Sequence, residues 1–269
     1  MGILSRIIFC SMIILIILFA FAIILILSLA FSKTAFGVLS TNTAPVGNLG
    51  EDQLLSCYLP IPTVSQVSVS WEKSGIIGFV YQHTNGAASF KNQNPQFKGR
   101  TELFPNDLVT GNASLMLRNV RLSDEGEYYC TISSSQGGGR ITISLRTAAY
   151  TAPTFTLTNN VLAAEASRWF PEPNVTWFSL EQEVLQGDTT FSQSSFGIYS
   201  ITSKLQPVNK SGSYMLKIEN DLVTSVSTAR LTETEISKFS YFAFSVASSL
   251  LPSPHLRIMI SVLCVFYVT

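Results

Sequence analysis

Side chains able to do chemistry are sparse in this 269-residue chain, and histidine is the scarcest: only His83 and His255 occur. A histidine triad or a zinc site needs an imidazole held beside a nucleophile or beside further ligands. One histidine per distant segment supplies neither. The densest carboxylates, Asp124, Glu125 and Glu127, suit a solvated turn with one ion pair. The run Gly137, Gly138, Gly139 lacks the following helix with Lys and Ser or Thr that a phosphate cradle requires, and it reads as a hairpin tip. The expectation is a protein that is not an enzyme, with no catalytic residue, metal, cofactor or small-molecule substrate. What remains is oxidative and post-translational chemistry. Four cysteines are present, and three Asn-x-Ser/Thr acceptor sequences mark Asn112, Asn174 and Asn209 for glycosylation.

The cysteines divide by their surroundings. Cys10 lies in an apolar run from Ile7 to Phe31 that follows Arg6 and carries Ser28 and Ala30 at small-x-small spacing. Residues 1–30 therefore read as a secretory signal cleaved after Ala30, or as an uncleaved signal anchor, since 25 apolar residues can span a bilayer. Cys264 lies in residues 239–269, where two apolar stretches are parted by Pro252, Pro254, His255 and Arg257. A helix crossing there would bury Arg257 at a cost of about 2.5 kcal/mol or more. The segment reads either as a membrane anchor of that kind or as a lipid-anchor signal with a removable tail. Both place the rest of the chain outside the cell surface, on the external side of the plasma membrane. Cys57 and Cys130 are then the only pair in the ectodomain, in an oxidising compartment. Removing Arg6 and Arg257 from the 17 basic residues leaves 15 against 17 acidic ones. No nucleic acid partner is expected of such a surface.

The elements that must position this pair follow from spacing. Cys57 and Cys130 lie 73 apart, Trp71 falls 14 after the first, and Asp124, Gly126 and Tyr128 precede the second by six, four and two. This is the framework of an immunoglobulin domain: a disulfide between strands B and F, a strand C tryptophan against it, and a tyrosine corner. The separation leaves room for strands C′ and C″, so residues 36–146 are expected to form a V-set domain, with Arg100 paired to Asp124. In residues 150–234, Trp177 and Tyr214 repeat two landmarks of the framework, and the prolines around Phe170 suit a constant-type domain. Its cysteine positions hold Ala164 and Leu216, so this domain lacks its disulfide. The fold class is all-β, two immunoglobulin-like β-sandwich domains in tandem. If Val69, Trp71, Tyr128, Cys130 and Ile132 point inward, then Ser70, Glu72, Tyr129, Thr131 and Ser133 point out of the front sheet. Phe79 and Tyr81 are expected to face the same way, which completes a candidate receptor-binding surface with aromatic anchors.

Several stretches carry a family likeness: Gly50 to Asp52 and Leu55 to Cys57; Phe97, Gly99, Arg100 and Thr101; Gly111 to Leu115; Asp124, Gly126, Tyr128 and Cys130; Arg168 to Pro171; and Ile218 to Asn220. Together they resemble the butyrophilin-like family of T-cell costimulatory and co-inhibitory ligands, over roughly 190 residues. The resemblance implies a membrane-anchored ligand that binds a receptor protein on T cells and lowers their activation, proliferation and cytokine production. The alternative is an adhesion molecule, homophilic or heterophilic, using the same sheet.

Overall fold

The computed structural model describes residues 12, 15–24, 37–60, 67–134, 137–233 and 235–245. Residues 12 and 15–24 are helical, and among the described residues no helix is long and apolar enough to cross a membrane. The expected cleavage site after Ala30 and the tail beyond Ser245 lie outside the described residues.

The first sandwich is built from β1 (Val46–Asn48), β2 (Gln53–Leu55), β3 (Ser68–Lys73), β4 (Tyr81–Thr84), β5 (Ala87–Ala88), β6 (Thr101–Leu103), β7 (Leu115–Leu117), β8 (Gly126–Ser134) and β9 (Gly137–Ala148). One sheet runs β1-β9-β8-β3-β4-β5 and the other β2-β7-β6. Two additional strands, β4 and β5, beside the C strand are the mark of the variable type. Cys57 and Cys130 are disulfide-bonded and wholly buried with Trp71, whose Nε1 donates to the Ala113 carbonyl at 3.0 Å. The Tyr128 hydroxyl donates to the Asp124 carbonyl at 2.7 Å. Arg100 clasps the Asp124 carboxylate with two 2.8 Å bonds. Burial alone would raise the Asp124 pKa, but hydrogen bonds from Arg100, the Arg121 N–H and Gln96 outweigh it and hold the carboxyl below the usual range. Gly137, Gly138 and Gly139 are not a hairpin tip: they open β9, paired with Ser134, Ser133 and Ile132.

The second sandwich comprises β10 (Thr154–Thr158), β11 (Val161–Trp169), β12 (Asn174–Ser179), β13 (Val184–Leu185), β14 (Gly187–Gln193), β15 (Tyr199–Leu205), β16 (Ser213–Glu219), β17 (Val223–Leu231) and β18 (Ile236–Phe244). Its sheets run β10-β11-β15-β14 and β13-β12-β16-β17-β18. Ala164, Leu216 and Trp177 are each 1% exposed and share one core. The Trp177 Nε1 donates to the Ser203 hydroxyl at 2.8 Å. Gly187 is required there, because a Cβ would come within 2.4 Å of the Trp177 ring.

One boundary differs from the expected one. Residues 239–244, expected to begin the anchor, belong to β18, a full-length edge strand paired with β17 from Val223↔Phe244 to Leu231↔Ile236. The second sandwich therefore extends past residue 234. The sandwiches share their joint: Val46 and Ala148 pack into the second core. Asn48 makes a reciprocal pair of 3.2 Å bonds with the Tyr150 backbone, Arg168 donates to the Leu49 carbonyl, and the Tyr150 ring packs tilted against Phe242 and edge-on to Phe244.

Candidate functional site

The outer face of β3, β8 and β9 brings five of the expected residues together. Ser70 lies opposite Thr131, Glu72 opposite Tyr129, and Ser68 opposite Ser133. All five point away from the core because their neighbours Val69, Trp71, Tyr128, Cys130 and Ile132 fill it. Ser70, Glu72, Tyr129 and Thr131 are half-buried and Ser133 is exposed. Tyr129 is the centre of the cluster. Its ring lies under the Arg140 guanidinium at 4.1 Å, and its hydroxyl donates to Glu127 at 2.9 Å. Arg140 also reaches Glu72 at 3.4 Å. Both members of that ion pair are well solvated, at 52% and 39% exposure, so the pair contributes about 0–1 kcal/mol and the cation–π contact about 0.5–1 kcal/mol. Contacts this weak orient the groups without locking them in place.

Beside Tyr129 a groove of about 630 Å³ opens between the turn after β3 and residues 92–95, lined by Glu72, Ile77, Phe79, Asn94, Tyr129 and Arg140 among others. The turn is pinned to the far wall. Phe79 N–H donates to the Asn92 carbonyl and Asn94 N–H to the Phe79 carbonyl, both at 2.9 Å, and the Asn94 amide holds the Ile77 carbonyl at 2.9 Å. Gly78 permits this approach: its φ is +91°, and a Cβ would meet the Asn92 oxygen at 2.6 Å. Ile77 stands 93% exposed on the rim, an aliphatic side chain presented to solvent.

Phe79 lines this groove, as expected of an outward residue, but Tyr81 does not. It is 5% exposed, opposes Trp71 in the ladder, and packs edge-on to Phe90 at 6.0 Å. The cause is a bulge. Val80 N–H donates to the Trp71 carbonyl at 2.8 Å while Tyr81 is the ladder partner of the same residue, so two residues face one and the alternation changes phase. Val80 and Tyr81 both turn inward. Gln82, opposite Ser70, takes the outward place instead. Arg140 was not among the expected residues, although the inward pattern Ile141, Ile143, Leu145 leaves residue 140 on the front face and could have found it.

The three glycosylation candidates occupy different settings. Asn112 is half-buried and bridges to Tyr58 through its backbone, with its amide 3.4 Å from Asp107. Asn174 is exposed on β12. Asn209 is exposed, and its Oδ1 accepts 3.1 Å bonds from both the N–H and the hydroxyl of Ser211.

Comparison with known proteins bears on this arrangement. Residues 40–146 match the immunoglobulin V-set domain. The V-set domain-containing T-cell activation inhibitor 1 of Homo sapiens is 33% identical over 285 residues, covering 96% of this chain and all of that protein. The Mus musculus protein of the same name is 36% identical over 253 residues, 89% of this chain and 88% of its own. Among solved structures, the human B7-H4 IgV-like domain is 38% identical, covering 41% of this chain and 95% of that one, with a TM-score of 0.38. With identity of this order along nearly its whole length, the chain belongs to the immunoglobulin-superfamily family of the V-set domain-containing T-cell activation inhibitor 1.

Proposed function

We propose that this protein is a cell-surface ligand that restrains T-cell activation by engaging a receptor protein on T cells. The observation that carries the reading is the relatedness to a T-cell activation inhibitor across all of that protein's length. The front sheet of the first sandwich is the contact surface in this reading. Ile77 supplies an exposed aliphatic tip, Tyr129 an anchor beneath a displaceable guanidinium, and Ser70, Gln82, Thr131 and Ser133 a small polar rim, the composition of a modest interface with a tyrosine at its centre.

The test displays the full chain on stimulator cells and measures T-cell proliferation together with capture of T cells. Tyr129→Ala and Ile77→Asp are each expected to weaken capture by about 1–2 kcal/mol, roughly 5- to 30-fold, at unchanged surface level. Glu172→Ala, in the second sandwich, leaves capture intact. Full inhibition by a normally displayed Tyr129→Ala, Ile77→Asp double variant removes the front sheet from the reading. Measurable self-association with no effect on T cells replaces the ligand with an adhesion molecule.

A further inference from the structure

The second sandwich exposes an apolar face that the receptor reading does not use. On the five-stranded sheet, Trp177, Leu216 and Ser227 point into the core, so the residues beside them point out. Pairing places Val184, Phe178, Met215, Thr228 and Phe239 in one row across all five strands. The next row, Thr176, Lys217, Val226 and Tyr241, adds a second aromatic ring. Val184 is 68% exposed, Phe239 67% and Tyr241 51%, and the two rings of β18 lie 6.2 Å apart. Exposed aromatic and aliphatic side chains gathered in neighbouring rows are of the kind that marks a covered or interacting surface.

A glycan acceptor stands on the same face. Asn174 pairs with Glu219, which pairs with Thr224, which pairs with Ala243, so it opens the third outward row and points with Thr176 and Phe178. It is exposed, and Asn174, Val175, Thr176 form an acceptor sequence. At strand dimensions Phe178 lies about 13 Å along β12, and β18 about 14 Å across the sheet. A branched oligosaccharide spans both. Between Asn174 and the rings lies the Lys217–Glu219 ion pair at 2.7 Å, which offers donors and acceptors to the first sugars. An oligosaccharide of that reach is long enough to bring the flat apolar faces of its later sugars to Phe178, Tyr241 and Phe239.

We propose that Asn174 carries an N-linked glycan that lies back across this sheet and covers its apolar rows. In the attachment step the Asn174 Nδ2 forms a bond to C1 of the reducing-end sugar of a lipid-diphosphate-linked oligosaccharide. The C1–oxygen bond to the diphosphate breaks, the lipid diphosphate leaves with the electron pair, and an amide proton passes to a base of the transferring enzyme. Neither sugar nor protein is oxidised or reduced. Other occupants of the face, such as a second copy of this chain, would need the glycan to be absent or turned away.

The experiment uses the full chain on intact mammalian cells, with hydroxyl-radical labelling read by mass spectrometry. Glycopeptide mapping is expected to find Asn174 occupied. Asn174→Gln is expected to raise labelling of Met215, Phe239 and Tyr241 several-fold, while Tyr129 in the first sandwich is unchanged; Asn209→Gln raises none of them. Because a chain that never received the glycan can misfold, the same rise is sought after enzymatic removal of glycans from wild-type protein already folded on the cell. An unmodified Asn174 overturns the proposal. So does labelling that stays constant after glycan removal, and constant labelling accompanied by cross-linked dimers assigns the face to a second copy instead.

Discussion

The two sandwiches solve the same packing problem with different chemistry. In the first, Trp71 packs on the Cys57–Cys130 bond and its Nε1 is satisfied by the Ala113 carbonyl. In the second, Trp177 packs with Ala164 and Leu216, and its Nε1 is satisfied by Ser203, whose hydroxyl in turn meets that of Thr189 at 2.7 Å. Both indoles are buried and both donors are paired. The architecture thus requires a filled site with a satisfied donor. The cross-link acts mainly on the unfolded chain and can be left out when small and branched residues fill its volume. The corners differ likewise. Tyr128 donates to the Asp124 carbonyl beside a buried ion pair, whereas the Tyr214 hydroxyl accepts the Asn209 N–H at 2.7 Å in an exposed turn. The half that carries the groove is the half with the added constraints.

Breaking the bond gives the largest expected effect. Replacing Cys57 and Cys130 by Ala frees a 73-residue loop, a loss of about 4 kcal/mol in the chain-entropy description, comparable with a whole domain's stability. Secretion of the full chain should collapse, measured as surface display. A double variant displayed at wild-type level would mean that Trp71, like Trp177, needs only packing.

The two tyrosines of the front sheet sharpen the comparison within the first sandwich. Tyr81→Ala removes a ring that fills the core and is expected to cost about 3–5 kcal/mol. Tyr129→Ala removes a half-buried ring, held by a cation and one hydrogen bond, and is expected to cost well under 1 kcal/mol. Denaturant titration separates the two. Equal stability losses would mean that the bulge at Val80 is misplaced.

Installing the missing bond tests the second sandwich. Cysteines at Ala164 and Leu216 would close a 52-residue loop, about 4 kcal/mol at most and about 2 kcal/mol after native-state strain, or roughly 10 °C in the melting of that half. Peptide mapping reads the bond and calorimetry the gain. A pair that stays reduced would show that the two positions share the core without facing each other.

How far the molecule was legible follows from which forces act locally. Cys57, Trp71, Asp124, Tyr128 and Cys130 were readable because the sandwich sets their separations through strand length and one corner. Outward positions on β3 and β8 were readable because both strands alternate without interruption. Tyr81 was not, because a bulge changes phase by one residue and leaves no mark in the composition around Val80. β18 was not, because its inward Ile236 and Phe242 and its outward Phe239 and Tyr241 are all apolar, and an edge strand apolar on both faces reads like a membrane segment. The shared joint was hidden for a third reason. Val46 lies within the first sandwich in sequence and contributes to the core of the second, a contact that only the tertiary structure creates.

The smallest expected effect distinguishes the halves by pH. His83 lies on β4, 5% exposed, opposite Val69, and its Nδ1 has no hydrogen-bond partner among the described residues. Burial lowers its pKa from the ordinary value, because an imidazolium there would lose its hydration. The folded state therefore binds this proton less readily than the unfolded state, so its contribution to stability is intact above about pH 6.5 and is lost as pH falls toward the lowered folded value. Asp124 also titrates low, but its share is lost only below the unfolded carboxylate range near pH 4. The interval from pH 6.5 to 5 thus isolates the histidine. Residues 150–245 contain none. Melting followed at pH 7.5 and 5.5 should show a fall confined to the first sandwich, and His83→Leu should flatten it while the second sandwich melts as before. A fall that survives His83→Leu would place the acid-sensitive group elsewhere in the first half, and a fall shared by both halves would deny that histidine burial separates them.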